Sequence, residues 1–161
     1  MLTKNYLHTA TTTPKPRKVR RTPILVVENN PDQWLVIRAA LAQAFPEVEP
    51  IWKNHPLQVL SYLDDCTADS RSVPRLILME PYLPTRKDGW ALLEKIKAHP
   101  RHQLIPVVIM SHSGTVEDIS EAYALSVASY ITKPTTYGKW VACFQTLRRY
   151  WWEVVSFPTS V

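Results

Sequence analysis

The sequence predicts a doubly wound α/β fold, with helices on both faces of a five-stranded parallel sheet. Five short apolar runs alternate with segments that carry apolar residues at helical spacing, which is the pattern of successive βα units. The first run, residues 24–27, has no polar alternation, as expected for a strand buried on both faces. With 161 residues, the chain is long enough for one domain with a full core and too short for two.

A helix is predicted directly after the first strand. Asn30 can cap this helix, and Pro31 suits its first position. Pro46 then ends it. Its apolar face consists of Trp34, Ile37, Leu41, Ala44 and Phe45.

The middle of the chain begins with an edge strand at residues 48–52. Pro56 opens a short second helix whose apolar residues are Leu57, Leu60 and Leu63. A polar loop at residues 67–74 leads into the central strand, residues 76–79. Asp88 is expected to cap the third helix, which closes near His99. Its inward residues are Trp90, Leu93 and Ile96.

The C-terminal part completes the alternation with a fourth strand at residues 107–110 and a fifth at residues 128–132. Residues 115–118 approximate a capping box that starts the fourth helix. The apolar set of that helix is Ile119, Ala122, Tyr123 and Leu125. The last helix carries an apolar stripe of Trp140, Phe144, Leu147 and Trp151. Five βα units in about 130 residues fit the strand order 2-1-3-4-5.

The positive charge belongs to the N-terminal segment. Six of the 19 basic residues lie in residues 1–22, which contain no acid, and the other 13 stand against 14 acids, so the rest of the chain is close to neutral at −1. We predict a disordered basic tail at residues 1–22, one domain at residues 23–155 and a C-terminal tail at residues 156–161. The basic tail could alternatively serve as an arm for nucleic acid or another anionic partner.

The sequence contains no secretory apolar segment and no membrane-length apolar stretch, so a soluble cytoplasmic protein is expected. Its two cysteines, Cys66 and Cys143, lie far apart without ligand-spaced partners and are expected to be free thiols.

Polar residues follow the predicted strands at one edge of the sheet. Glu28, Asn29 and Asn30 follow the first strand, and Glu80 follows the third. Ser111 and Lys133 stand at the ends of the fourth and fifth strands. Because the carboxyl ends of parallel strands lie at the same edge, we expect these side chains to line one cleft.

These motifs resemble the receiver domains of two-component response regulators over about residues 22–155. The run from Val26 to Asp32 is similar to the receiver segment that carries two acids after the first strand. Leu83-Pro84 with Asp88-Gly89 resembles the loop behind the phosphorylated aspartate. The resemblance implies a flavodoxin-like fold. It also assigns the hydroxyl position to Ser111, the switch aromatic to Tyr130 and the lysine of a lysine-proline pair to Lys133.

A narrower resemblance lies in the C-terminal half. The segments Tyr130-Ile131-Thr132-Lys133 and Tyr150-Trp151-Trp152, with a tail ending Phe157-Pro158, are similar to the phytochrome-associated single-domain response regulators of cyanobacteria. The resemblance implies a sensor histidine kinase or a phytochrome as partner, and a homodimer through the face of the fourth and fifth helices.

The chain departs from the receiver pattern at two positions. Glu80 stands where the family has its phosphoacceptor aspartate, and Asn29 stands where it has the main metal-binding acid. Losing a carboxylate weakens a magnesium site, and a longer side chain misplaces the attacking oxygen. We therefore expect no phosphotransfer, no cofactor and at most a weak magnesium site at Glu28 and Glu80.

Glu80 is instead expected to reach Lys133 and the Ser111 hydroxyl as a fixed charge. Whether this carboxylate mimics a phosphoryl group or merely satisfies Lys133 stays open. His112, just after Ser111, either covers the cleft or points to solvent. Tyr150, Trp151 and Trp152 cannot all face one side of a helix, so at least one ring is expected at the surface as an interface candidate.

Three functions follow from these residues. The favoured one is a non-enzymatic, receiver-like signalling module that is constitutively set and works through protein contacts. The second is a phosphorylatable response regulator receiver, and the third is a nucleic-acid-associated regulator that uses the basic tail.

Overall fold

The computed structural model describes residues 13–15, 19–69 and 73–157. The predicted basic tail therefore lies mostly outside the described residues, as do the last four residues of the C-terminal tail. Among the helices of the described part, none combines the length and apolar character needed to cross a lipid bilayer.

In the part of the chain that the structure describes, five parallel strands form one sheet in the order β2-β1-β3-β4-β5, which confirms the predicted topology. Neighbouring strands pair in a common register, with Leu25 beside Ile77 and Ile77 beside Val107. The chain changes direction across the sheet between β1 and β3, which is where doubly wound folds open a crevice at the carboxyl ends. The strands are β1 (Thr22–Val27), β2 (Val48–Lys53), β3 (Ile77–Met79), β4 (Val107–Ser111) and β5 (Ser129–Thr132).

Within the described residues, five α-helices connect and cover the strands. Helices α1 and α5 pack on one face of the sheet, and α2, α3 and α4 pack on the other, so that each face has its own apolar core. A 3₁₀ turn, His102–Leu104, precedes β4, and a π-helical turn, Arg149–Val154, extends the last helix. The helices are α1 (Pro31–Ala44), α2 (Pro56–Cys66), α3 (Arg86–Ala98), α4 (Val116–Ala124) and α5 (Tyr137–Arg148).

The helix starts follow local capping chemistry. Asn30 Oδ1 accepts hydrogen bonds from the N–H groups of Asp32 and Gln33, at 2.9 and 3.2 Å, as predicted. The predicted cap of α3 was wrong, because Thr85 rather than Asp88 is the N-cap. Thr85 Oγ1 accepts from the Asp88 N–H at 3.2 Å and donates to the Asp88 carboxylate at 2.5 Å. Asp88 is therefore the third residue of the helix, in the reciprocal position of a capping box.

Two predicted apolar faces were also partly wrong. In α2 the buried stripe is Val59, Leu63 and Cys66, and Leu57 is 68% exposed. This stripe follows the i, i+4, i+7 spacing from Val59, which turns Leu57 toward solvent. In α4 only Ala122 of the predicted set is buried. The other members are half-buried (Ile119, Leu125) or exposed (Tyr123). By contrast, the predicted stripe of α5 is buried in full, through Trp140, Phe144, Leu147 and Trp151.

Candidate functional site

The polar residues at the strand ends meet in one cleft, as the sequence predicts. Glu28 follows β1, Glu80 follows β3, Ser111 ends β4 and Lys133 follows β5. The cleft has a volume of about 370 Å³. It is lined by Glu28, Asn29, Asn30, Gln33, Glu80, Tyr82, Pro84, Ser111, His112, Ser113 and Lys133.

Lys133 lies between two carboxylates at the floor of the cleft. Its Nζ is 2.7 Å from Glu80 Oε2 and 2.5 Å from Glu28 Oε2. All three residues are buried, at 2 to 6% exposure, and a charge in such a place is tolerated only when it is paired. The contact between Glu80 and Lys133 is as expected, but the sequence did not reveal the bond to Glu28. We call Glu28, Glu80 and Lys133 the Lys133 cluster, whose formal charge is −1.

The second oxygen of Glu80 is also engaged. Oε1 accepts hydrogen bonds from the backbone N–H of Tyr82 at 3.0 Å and from the Ser111 hydroxyl at 3.3 Å. The Ser111 oxygen in turn accepts from the N–H of Ser113 at 3.2 Å. Both oxygens of the carboxylate are therefore held by donors from three different elements of the sheet edge.

The other end of the cleft does not offer a good magnesium site. Glu28 Oε1 accepts from the Asn30 N–H at 3.0 Å, while Oε2 contacts Lys133. Asn29 is exposed and carries no charge. Magnesium needs several hard oxygen ligands in an octahedral array, and here the two buried carboxylates already serve protein donors. The residues present do not fit a dedicated magnesium site.

A second polar cluster closes the side of the cleft near α4. The Asp118 carboxylate, in the first turn of α4, accepts from Tyr82 Oη at 2.9 Å, Ser113 Oγ at 2.5 Å and Arg86 Nε at 2.5 Å. Arg86 also contacts Glu121 through its terminal nitrogen Nη2. We call Tyr82, Arg86, Ser113, Asp118 and Glu121 the Asp118 network.

The Asp118 network stabilises a charged group in a buried place. Asp118 is 3% exposed, and burial raises the pKa of its carboxyl. The hydrogen bonds from Ser113, Arg86 and Tyr82 outweigh burial, so the net pKa lies below its usual value. Sequence reasoning missed this network. One signal was available, because Asp118 and Glu121 stand three residues apart and so share a face of α4.

Tyr130 and His112 complete the surroundings of the cleft. The Tyr130 hydroxyl donates to the backbone carbonyl of Ser113 at 2.6 Å. Burial is the main reason that the pKa of Tyr130 is raised, and its half-buried ring packs against the core beneath α3 and α4. His112 is exposed and lines the rim of the cleft. It therefore both faces solvent and borders the opening.

The C-terminal aromatic residues divide between core and surface. Trp151 is buried, Trp152 is half-buried against Phe45, and Tyr150 is 53% exposed. One ring of the three is thus at the surface, as the helical geometry predicts. The Arg75 guanidinium lies 4.4 Å from the ring centroid of Trp152 and 3.9 Å from that of Phe157, which ties the chain after α5 to the loop before β3.

A group of potential metal ligands lies away from the cleft, at Asp64, His99 and His102. The two imidazole rings stack, with centroids 3.6 Å apart and planes 13° apart. A metal ion must lie in the plane of each ring that binds it, and two parallel rings cannot share one ion in this way. His99 Nδ1 also already accepts from the N–H groups of Arg101 and His102. The group is better described as the structural junction of α2, α3 and the 3₁₀ turn.

The fold and the strand-end residues together define a receiver domain. The chain matches the response regulator receiver domain family over residues 24–144 and belongs to that family. This confirms the resemblance found in the sequence.

Among characterised relatives, the chain is similar to response regulator Rcp1 of Synechocystis sp., with 29% identity over 85% of this chain and 93% of the relative. It is also 32% identical to a probable methanogenesis regulatory protein, FilR2, of Methanothrix harundinacea, over 80% of this chain and 81% of that protein.

Solved structures of cyanobacterial response regulators are also similar to this chain. The phosphorylated cyanobacterial phytochrome response regulator RcpA superposes with a TM-score of 0.76 at 30% identity, covering 87% of this chain and all of that one. The Mn²⁺-bound form of Rcp1 superposes with a TM-score of 0.73 at 28% identity, covering 86% of this chain and 99% of that one. The similarity to the cyanobacterial phytochrome response regulators is confirmed.

Proposed function

We propose that this chain is a receiver-type signalling module that is held in one state by Glu80 and acts through protein contacts rather than phosphotransfer. The observation that supports this most strongly is the engagement of both Glu80 oxygens. Lys133 holds one of them at 2.7 Å, and the Ser111 hydroxyl and the Tyr82 N–H hold the other.

The partners of Glu80 favour the phosphate-mimicking role over a merely neutralising one. By family resemblance, a hydroxyl at the position of Ser111 and a lysine at the position of Lys133 contact the phosphoryl oxygens of an activated receiver. In this chain both groups contact the Glu80 carboxylate. A salt bridge that only neutralised Lys133 would not require the serine hydroxyl as well. The extra methylene of glutamate gives the carboxylate this reach.

The charge balance of the cleft argues against phosphotransfer. The Lys133 cluster already carries a formal charge of −1, and Asn29 adds no acid that could recruit a compensating cation. At an effective dielectric constant of about 20, two like unit charges about 4 Å apart repel by roughly 4 kcal/mol. An incoming dianionic phosphoryl group would meet this repulsion without the metal that neutralises it in ordinary receivers.

The partner chemistry follows from the family and from the surface. Similarity to RcpA and Rcp1 supports an input from a sensor histidine kinase or a phytochrome. Tyr123 on α4, Tyr137 on α5 and Tyr150 behind α5 are all about half exposed, and exposed aromatics are frequent interface anchors. We propose a homodimer through the face formed by α4 and α5.

A phosphorylatable receiver is the second candidate, and one comparison favours it: the similar RcpA was solved in its phosphorylated form. Beryllofluoride with magnesium, a non-covalent phosphoryl analogue, separates the two functions. We expect the backbone amide signals of Ser111 and Tyr130 to stay unchanged during a titration of the wild type in nuclear magnetic resonance spectra. The Asn29→Asp/Glu80→Asp variant restores the two missing aspartates and is expected to respond.

The outcome that overturns the proposal is a saturable response of the wild-type signals that disappears in Glu80→Gln. In that case the cleft binds phosphoryl analogues with its own residues, and the phosphorylatable receiver becomes the better description.

A further inference from the structure

A continuous set of hydrogen bonds joins the loop behind Glu80 to helix α4. The Tyr82 N–H donates to Glu80, and the hydroxyl of the same residue donates to Asp118 at 2.9 Å. Tyr82 thus connects the Lys133 cluster to the Asp118 network through its two ends. The two residues joined by the hydroxyl bond are 36 positions apart in the chain.

The same network reaches the ring of Tyr130. Ser113 donates its hydroxyl to Asp118 at 2.5 Å and offers its backbone carbonyl to the Tyr130 hydroxyl at 2.6 Å. The loop between β4 and α4 is therefore held from both sides. Arg86, in the first turn of α3, donates a further hydrogen bond to Asp118 and so connects α3 to α4.

Helix α4 has few other attachments: Leu125 packs at the edge of the core, and the Tyr123 hydroxyl accepts a hydrogen bond from the Tyr130 N–H at 3.3 Å. It spans nine residues, and only Ala122 and Asp118 are buried. An alanine side chain buries a small apolar area, so hydrophobic burial fixes this helix only weakly. The hydrogen bonds to a buried, charged acceptor are the stronger attachment.

Helix capping does not explain why the Asp118 carboxylate faces inward. The N-cap of α4 is Thr115, whose hydroxyl accepts from the backbone N–H of Asp118 at 3.3 Å. Glu117 supplies a second acid to the same helical turn from an exposed position, where it can interact with the helix dipole. The Asp118 carboxylate instead faces inward to Tyr82, Arg86 and Ser113.

We infer that Asp118 is a positioning residue that fixes α4 and the Tyr130 ring in the arrangement set by the Glu80 loop. The surface formed by α4 and β5 is then presented to a partner in one state without any phosphorylation. This inference rests on the proposed function, because it requires Glu80 to hold the loop permanently.

Hydrogen–deuterium exchange of the full chain tests the inference through two variants and a matched control. Tyr82→Phe removes one hydroxyl from a side chain that is 36% exposed, and Asp118→Asn removes the charge of the acceptor. Glu117→Gln removes an acid from the same turn that makes no hydrogen bond or ion pair with the described residues. We expect exchange of residues 116–124 to become roughly three- to tenfold faster in the first two variants, as the loss of one hydrogen bond implies.

Two further readouts separate positioning from general stability. Exchange of β1 and β3 is expected to stay at the wild-type rate. The Tyr130 ring signals are expected to shift in Tyr82→Phe, because the hydroxyl that this variant removes is linked to Tyr130 through Asp118 and Ser113. Unchanged α4 exchange in Tyr82→Phe, or an equal acceleration in all strands, overturns the inference. Since Asp118→Asn could unfold the chain, Tyr82→Phe alone suffices for this decision.

Intact mass after incubation with acetyl phosphate and magnesium distinguishes this inference from the proposed function. Phosphorylated wild type, with α4 exchange still accelerated in Tyr82→Phe, overturns the proposed function and leaves Asp118 as the residue that positions α4. Unphosphorylated wild type with unchanged α4 exchange in Tyr82→Phe overturns the inference alone.

Discussion

At the residue scale, one methylene group separates Glu80 from the aspartate that the family carries at this position. The Glu80 carboxylate lies 2.7 Å from Lys133 Nζ and accepts from the Ser111 hydroxyl at 3.3 Å. Asn29 lies nearby at the cleft, exposed and uncharged. In the proposed function the two departures act together, because Glu80 takes the place of a phosphoryl group and Asn29 leaves out a carboxylate ligand for the metal that phosphotransfer uses.

Lys133 carries the compensating charge for two buried acids, and its replacement should be costly. In Lys133→Met, Glu28 and Glu80 are left unpaired in a buried site. We expect a loss of about 3–5 kcal/mol in the free energy of unfolding, measured by urea denaturation at neutral pH. Lys139→Met removes an exposed lysine and should change stability by less than about 0.5 kcal/mol. Equal unfolding midpoints for the two variants would contradict the buried-charge account.

At the element scale, local chemistry predicted the strands and most helix starts, while tertiary pairing remained hidden. Asn30 caps α1 and Thr115 caps α4, as the sequence predicts. These caps were predictable because a capping side chain bonds a backbone N–H only two or three positions away. The bond from Arg86 to Asp118 spans 32 positions, so the shared helix face of Asp118 and Glu121 does not reveal Arg86 as their partner. The burial of Asp118 could not be anticipated either, since a charged residue in a first helical turn is usually exposed.

Gly89 marks the place where α3 passes closest to the loop behind Glu80. A Cβ added to this residue would lie 1.5 Å from the carbonyl oxygen of Pro81, which is a backbone atom. We expect Gly89→Ala to destabilise the protein by about 1–3 kcal/mol, as measured by thermal unfolding. Gly138→Ala is the matched control, because a Cβ in this α5 residue meets nothing within 4 Å. It should be neutral or slightly stabilising, and a similar loss in both variants would refute the predicted clash.

The junction of α2, α3 and the 3₁₀ turn should make stability depend on pH. His102 is buried beside His99, and burial is the first cause that lowers its pKa below the usual value of 6.5. The unfolded chain then binds more protons than the folded chain as pH falls below about 6.5, so stability must decrease with acidification. We expect the wild type to lose more unfolding free energy than His102→Gln between pH 7.5 and pH 5.5, by at most about 1.4 kcal/mol per pH unit. If the unfolding free energies of the wild type and His102→Gln fall equally with pH, His102 is not the source of the pH dependence.

At the scale of the whole molecule, the sheet separates two cores, and the chain after α5 closes one of them. Trp151 continues the buried stripe of α5 into the core shared with α1. The stacking of Arg75 between Trp152 and Phe157 then holds the following residues against the domain. The stripe was predictable from its helical spacing. The contact with Arg75 was not, because it joins segments far apart in the sequence.

The neighbours Tyr150 and Trp151 should respond very differently to truncation. Trp151→Ala opens a cavity in the core and is expected to cost about 3–5 kcal/mol of unfolding free energy. Tyr150→Ala removes an exposed ring and its edge-on contact with Trp151, at 5.0 Å between centroids, and should cost about 1 kcal/mol. If Tyr150 contributes to the proposed dimer, its truncation should weaken self-association in sedimentation equilibrium. A larger loss of stability in Tyr150→Ala than in Trp151→Ala would contradict the structure.

The molecule retains the receiver architecture, and we propose that Glu80 holds its pocket in one state. The most direct measurement is the intact mass of the full chain after incubation with acetyl phosphate and magnesium. We expect the wild type to keep its mass and the Asn29→Asp/Glu80→Asp variant to gain one phosphoryl group. Stoichiometric phosphorylation of the wild type, abolished in Glu80→Gln, would contradict the account.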